Sequence, residues 1–112
     1  KKDDTNGRKR KLSVCIAFGE QLSELATQFS SLKLLGKEIA ERFPESQRMD
    51  SACRTRCKWL YEALHKPGHA ANDILSVLGL QTIYDLCERT WNPTVIFRMY
   101  AKAKAQAMDL AA

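Results

Sequence analysis

Cys53, Cys57, His65 and His69 stand as Cys-x3-Cys, seven intervening residues, then His-x3-His. These are the residue types that bind zinc, so the spacing must be tested against what a tetrahedral site requires. Both cysteines fall on one apolar stripe with Met49, Leu60 and Leu64, which marks a helix and not the turn from which paired zinc cysteines usually reach an ion. Residues eight apart on a helix are separated by roughly 12 Å, so Cys57 and His65 cannot share one ion. The reading is therefore buried thiols, with no metal and no cofactor. Cys15 and Cys87 also sit on apolar stripes. Four such cysteines point to reduced core thiols in a reducing, intracellular compartment, cytoplasmic or nuclear, and not to two disulfides.

Catalytic chemistry finds little support. The two histidines flank a Lys66-Pro67-Gly68 turn without a Ser, Cys or Asp at a spacing that builds a nucleophile and its base. Glu38 with Glu41, and Asp85 with Glu88, are read as solvated helix pairs. The five glycines are isolated, so no phosphate-cradling loop is present. No catalytic residue is assigned, and the expectation is a noncatalytic protein.

Charge is the remaining handle. The chain carries 18 Lys and Arg against 13 Asp and Glu, a formal +5. Residues 1–11, KKDDTNGRKRK, hold six basic and two acidic residues, a net +4, so the remainder is nearly neutral. Lys-Arg clusters of this kind contact phosphates through counterion release, or serve as nuclear import signals. The first eleven residues lack a large apolar side chain to offset the entropy of ordering, and the expectation is a flexible basic arm. A second basic group follows in the third helix. Arg48, Arg54, Arg56, Lys58 and Lys66 stand there against Asp50 and Glu62, with Arg54 and Lys58 near one another and Arg56 turned to a different side. The candidate nucleic-acid-binding residues are Arg8, Lys9, Arg10, Lys11, Arg54 and Lys58, and Trp59 and Tyr61 are available for stacking or hot-spot contacts.

These residues must be positioned by helices, because no alternating strand pattern or internal repeat occurs. Leu12, Cys15, Phe18, Leu22, Leu25 and Phe29 recur at steps of three and four and define helix one, in which Gly19 suggests close approach of another helix. Ser30 and Ser31 cap a second helix with Leu32, Leu35, Ile39 and Phe43, ended by Pro44. Ser46 opens the third, which closes at Lys66-Pro67-Gly68. A short helix ends at Gly79, another spans Leu80 to Trp91, and Asn92-Pro93 starts a sixth that runs to about Leu110 with Ile96, Met99, Tyr100 and Ala103 inward. Ala70 to Trp91 invites a helix-turn-helix reading. Its second helix would present Asp85 and Glu88 to a duplex, however, and a plain helix corner is preferred.

The sequence thus predicts an all-α, compact array of about six helices over 12–112, preceded by the flexible arm at 1–11. No apolar run approaches the ~20 residues that cross a bilayer, so no membrane partner is expected. The leading expectation is a helical interaction domain of a nucleic-acid-associated regulatory protein that contacts DNA or RNA phosphates through the arm and helix three. The alternative is a protein–protein or homodimerisation module that accepts a partner helix, with the arm as import signal or linker.

Overall fold

The structure, a computed structural model, describes residues 2–29, 31–44 and 51–111, with side chains over 5–29, 31, 33–44 and 52–109. Among them are six helical segments and no strand. These are α1 (Lys2–Gln28), α2 (Leu32–Arg42), α3 (Ser51–His65), α4 (Ile74–Leu78), a 3-10 helix (Ile83–Glu88) and α5 (Pro93–Ala111). The fold is all-α, as the periodicity predicts. The expected caps at Ser30 and Ser46, the placement of Met49, Arg48 and Asp50, and the side chains of Leu32 and Leu110 lie outside the described residues.

One core joins the described helices other than α2. Leu12 from α1, Leu60 and Ala63 from α3, Ile74 from α4, Ile83, Leu86 and Cys87 from the 3-10 helix, and Ile96 and Tyr100 from α5 are buried together with Ala71. The predicted inward stripe of helix one is largely buried, at Leu12, Cys15, Leu22 and Leu25. The two long helices α1 and α3 lie side by side and run in the same sense, since Cys15 meets Cys57 and Ser23 meets Glu62. Gly19 marks their closest approach. A Cβ built there would lie 2.1 Å from the Cys57 carbonyl oxygen.

The structure adds detail at two places. In it α1 starts at Lys2, so helix one extends back from the Leu12 stripe through residues 2–11. This extension has a physical source, since a helix already nucleated by the Leu12 stripe grows at one hydrogen bond per residue, Arg8 finds acceptors on the 3-10 helix and Lys11 meets the Trp91 ring beyond it. The second concerns Leu80–Trp91, where the structure has only a six-residue 3-10 helix. Asp85 turns back to accept hydrogen bonds from the Gln81 and Thr82 backbone N–H groups, both at 3.1 Å. That arrangement fixes the start of a tight turn and takes the Asp85 carboxylate away from any outward-facing role. At α5 the predicted cap is present, the Thr94 N–H donating to Asn92 Oδ1 at 2.9 Å with Pro93 in the first turn. Gly79 ends α4 with φ of 70°, the left-handed geometry that glycine adopts without strain.

Candidate nucleic-acid interface

The basic cluster at 8–11 is placed on the third turn of α1, beside the 3-10 helix. Arg8 is its anchor: one guanidinium nitrogen donates to the Cys87 carbonyl at 3.1 Å and to the Glu88 carbonyl at 2.8 Å. Those carbonyls end the 3-10 helix, where backbone acceptors otherwise lack partners and a cation is favourable. Lys11 lies over the Trp91 ring with its ammonium 5.2 Å from the centroid, a cation–π contact that leaves the side chain exposed. Ser13 donates to the Tyr84 hydroxyl at 3.1 Å and adds a third tie between these elements. Burial pushes the Cys87 thiol up, opposed by the positive charges of Lys9 and Arg8 nearby.

Lys9 and Arg10 are exposed, neighbours about 100° apart around the helix. The exposed positions that continue this surface toward the C-terminus are Lys11, Ser13, Val14 and Ala17, and the next carboxylate after Arg10 on α1 is Glu20. Arg89, also exposed, follows directly on the carbonyls that Arg8 holds, and Glu88, which owns one of them, is an exposed carboxylate beside it. Arg89 is the basic residue that sequence reasoning missed. Nothing local marks it, because its place next to the carbonyl that Arg8 holds depends on a contact spanning eighty positions.

The third-helix group is divided differently. Arg56 stacks its guanidinium 3.6 Å from the centroid of the Phe97 ring on α5. Lys58 pairs with Glu62 at 3.2 Å, and Lys66 approaches the same carboxylate at 3.7 Å. The buried Ser23 hydroxyl donates to its other oxygen at 2.9 Å. Arg54 is half-exposed. With Cys15 level with Cys57, Lys58 lies about 9 Å along the paired helices from Arg10, and Arg54, one turn before it, lies between those two levels.

Glu62 supplies a pH signature. Burial alone would raise its carboxyl, but the Ser23 hydroxyl and then Lys58 and Lys66 outweigh this and hold it below the ordinary value. A carboxyl with a depressed folded-state pKa stabilises the fold above its unfolded value of ~4.3, and that contribution is lost as pH falls through the folded value. Asp73 acts in the same direction, held down by Lys104 and by Tyr100. Thermal melts should therefore show stability declining from about pH 5 downward, and Glu62→Gln should flatten part of that decline while lowering the plateau at neutral pH.

The zinc-like set is dispersed by the fold. Cys57 meets Cys15 and Cys53 at the α1–α3 seam, His65 stacks on Tyr61 with centroids 5.1 Å apart, and His69 Nδ1 accepts from the Ala71 N–H at 3.0 Å. Among the described residues no group of three or more His, Cys, Asp or Glu is arranged to hold a metal ion, and no helix is long and apolar enough to cross a membrane.

No protein-family model, curated protein or solved structure matches this chain. The functional reading rests on the residues themselves.

Proposed function

We propose that the chain is a noncatalytic helical interaction domain of a nucleic-acid-associated regulatory protein, contacting DNA or RNA phosphates through the early turns of α1. The observation that carries this reading is the fixed basic turn. Arg8 is tied to two backbone carbonyls, and that leaves Lys9 and Arg10 displayed side by side on a helix whose sequence has no carboxylate between Asp4 and Glu20. Helical order removes part of the entropy a flexible arm would lose on binding, so fewer charges suffice for a given affinity. Arg89 and Lys11 extend the patch. Arg54 and Lys58 form a secondary, weaker contact, since Glu62 already neutralises much of the charge beside Lys58.

Fluorescence anisotropy with labelled single-stranded and duplex oligonucleotides across a salt series tests this reading. The double variant Lys9→Ala/Arg10→Ala should weaken binding to every sequence alike and reduce the slope of log affinity against log salt by about two. Wild-type protein that fails to bind at low salt, or a variant that binds with the original slope, overturns the assignment.

A second reading, docking of a partner protein helix or a second copy, draws on α2. Among its described side chains none is buried, and Leu34 is 55% exposed on a helix with an otherwise amphipathic pattern. The Phe18–Phe43 edge contact, centroids 5.3 Å apart, helps hold that hairpin to the domain. This reading predicts concentration-dependent self-association or capture of an amphipathic peptide, lost in Leu34→Asp.

A further inference from the structure

Three thiols gather where α1 packs on α3, and the proposed interface uses none of them. Cys15 and Cys57 face each other across the seam at 2% and 0% exposure. Cys53, one turn before Cys57 on α3, is half-buried at the seam's edge. Hydrogen bonds join Cys57 to both of the others. One turn beyond Cys15, Gly19 brings the two backbones so close that a Cβ has no room against Cys57. The hydrogen bond between Cys57 and Cys15 makes the Cys15 thiol easier to ionise against the opposing effect of burial, and makes the Cys57 thiol harder to ionise. The arrangement is a row, Cys53 to Cys57 to Cys15, that leads from the surface to the inter-helix contact.

We infer that two-electron oxidation by a hydroperoxide converts Cys15 and Cys57 into a disulfide that clamps α1 to α3, with Cys53 as the entry thiol. The Cys53 thiolate attacks the peroxide oxygen, forming a sulfenic acid and releasing hydroxide. Cys57 then attacks the Cys53 sulfur as its proton passes across their hydrogen bond to the Cys15 thiolate; the sulfenic hydroxyl leaves as hydroxide and takes that proton from Cys15 as water, and a Cys53–Cys57 disulfide results. That bond is strained, because residues four apart on a helix hold their Cβ atoms about 5–6 Å apart, whereas a disulfide needs ~3.5–4.5 Å. The Cys15 thiolate attacks the Cys57 sulfur, and Cys53 leaves as thiolate. In sum two thiols and one hydrogen peroxide give one disulfide and two waters. Local opening of the seam is needed for the last step, and the low-lying Cys15 thiolate favours it. Cys87 lies apart in the core under the 3-10 helix and serves as an internal control.

The test treats the folded, full chain with hydrogen peroxide, blocks remaining thiols by alkylation, and maps peptides without reduction. The expected product is a Cys15–Cys57 cross-linked peptide that dithiothreitol reverses, with Cys87 blocked only after unfolding. Cys53→Ser should slow its formation, and Cys87→Ser should leave it unchanged. Closing a loop of ~40 residues should raise the unfolding temperature on the order of 10 °C. Because the wild-type map decides by itself, a variant that fails to fold does not obscure the answer. Oxidation that stops at a Cys53 sulfinic acid, a bridge to Cys87, or a cross-link only between two chains overturns the inference.

Discussion

Replacing Gly19 with valine should drive α1 and α3 apart and bring the domain close to unfolding. An ideal Cβ at this position falls 2.1 Å from the Cys57 carbonyl oxygen, 2.6 Å from its carbon and 3.0 Å from Tyr61 Cβ. The first two obstacles are backbone atoms inside a helix, and no rotamer change relieves them. Overpacking in a filled core costs about 1–3 kcal/mol when side chains can adjust. Here they cannot, so even Gly19→Ala should cost at least the upper end of that range, although alanine gains about 1 kcal/mol in intrinsic helix preference. Valine adds two further methyl groups at the same contact and should consume most of the ~5–15 kcal/mol that small domains possess. Gly36 in α2 provides the opposite case. Nothing lies within 4 Å of a Cβ built there, so Gly36→Ala should stabilise by about 0.5–1 kcal/mol. Urea unfolding followed by helical circular dichroism measures both. A Gly19→Ala protein at least as stable as the wild type would show that the seam is wider than the structure has it.

The close approach at Gly19 was legible in the sequence as a poor helix former amid a strong helical pattern, but its partner was not. Periodicity reports which side of a helix is apolar, and it does so well for Leu12, Leu22, Leu60, Ile74 and Ile96. It carries no information on which helix covers that side. The start of α5 was equally legible, because Asn92-Pro93 encodes its cap locally. The contacts of Arg8 and Lys11 were not, since they run to the Cys87 and Glu88 carbonyls and the Trp91 ring, some eighty positions away. The 3-10 helix at Ile83–Glu88 was hidden for a related reason. Apolar residues at 83, 86 and 87 satisfy either helical period, and the backward turn of Asp85 onto Gln81 and Thr82 selects the tighter one. At the candidate interface, the Lys58–Glu62 pair follows from a spacing of four and was readable in principle. The hold of Ser23 on the same carboxylate needed the fold.

Trp59→Ala should be the second severe substitution, through packing and not through loss of a ligand contact. The indole meets Phe97 edge-on with centroids 5.0 Å apart at 80°, and meets Tyr100 at 5.9 Å, thereby joining α3 to α5. Arg56 covers Phe97 at 3.6 Å, so the guanidinium, the phenyl ring and the indole form one layered contact between the two helices. Behind it, the Tyr100 hydroxyl donates to Asp73 at 2.7 Å, and Lys104 donates to Asp73 at 2.8 Å and to that hydroxyl at 3.0 Å. Asp73 is the residue that opens α4, so the aromatic seam also fixes where α4 meets α5. Removing a buried Trp or Phe side chain commonly costs about 3–5 kcal/mol. The half-burial of Trp59 lowers that figure, while the loss of support for Tyr100 raises it, and a value near 4 kcal/mol is expected. Trp59→Phe keeps an edge-to-face partner for Phe97 and should cost about half as much. Thermal melts read the stability, and anisotropy at a temperature where the variant remains folded reads oligonucleotide binding. The packing role requires stability to fall while affinity per folded molecule stays at the wild-type level. Were Trp59 a stacking platform for a base, the variant would melt like the wild type and lose about 1–3 kcal/mol of binding instead, and the aromatic layer would have to be reassigned from the core to the interface.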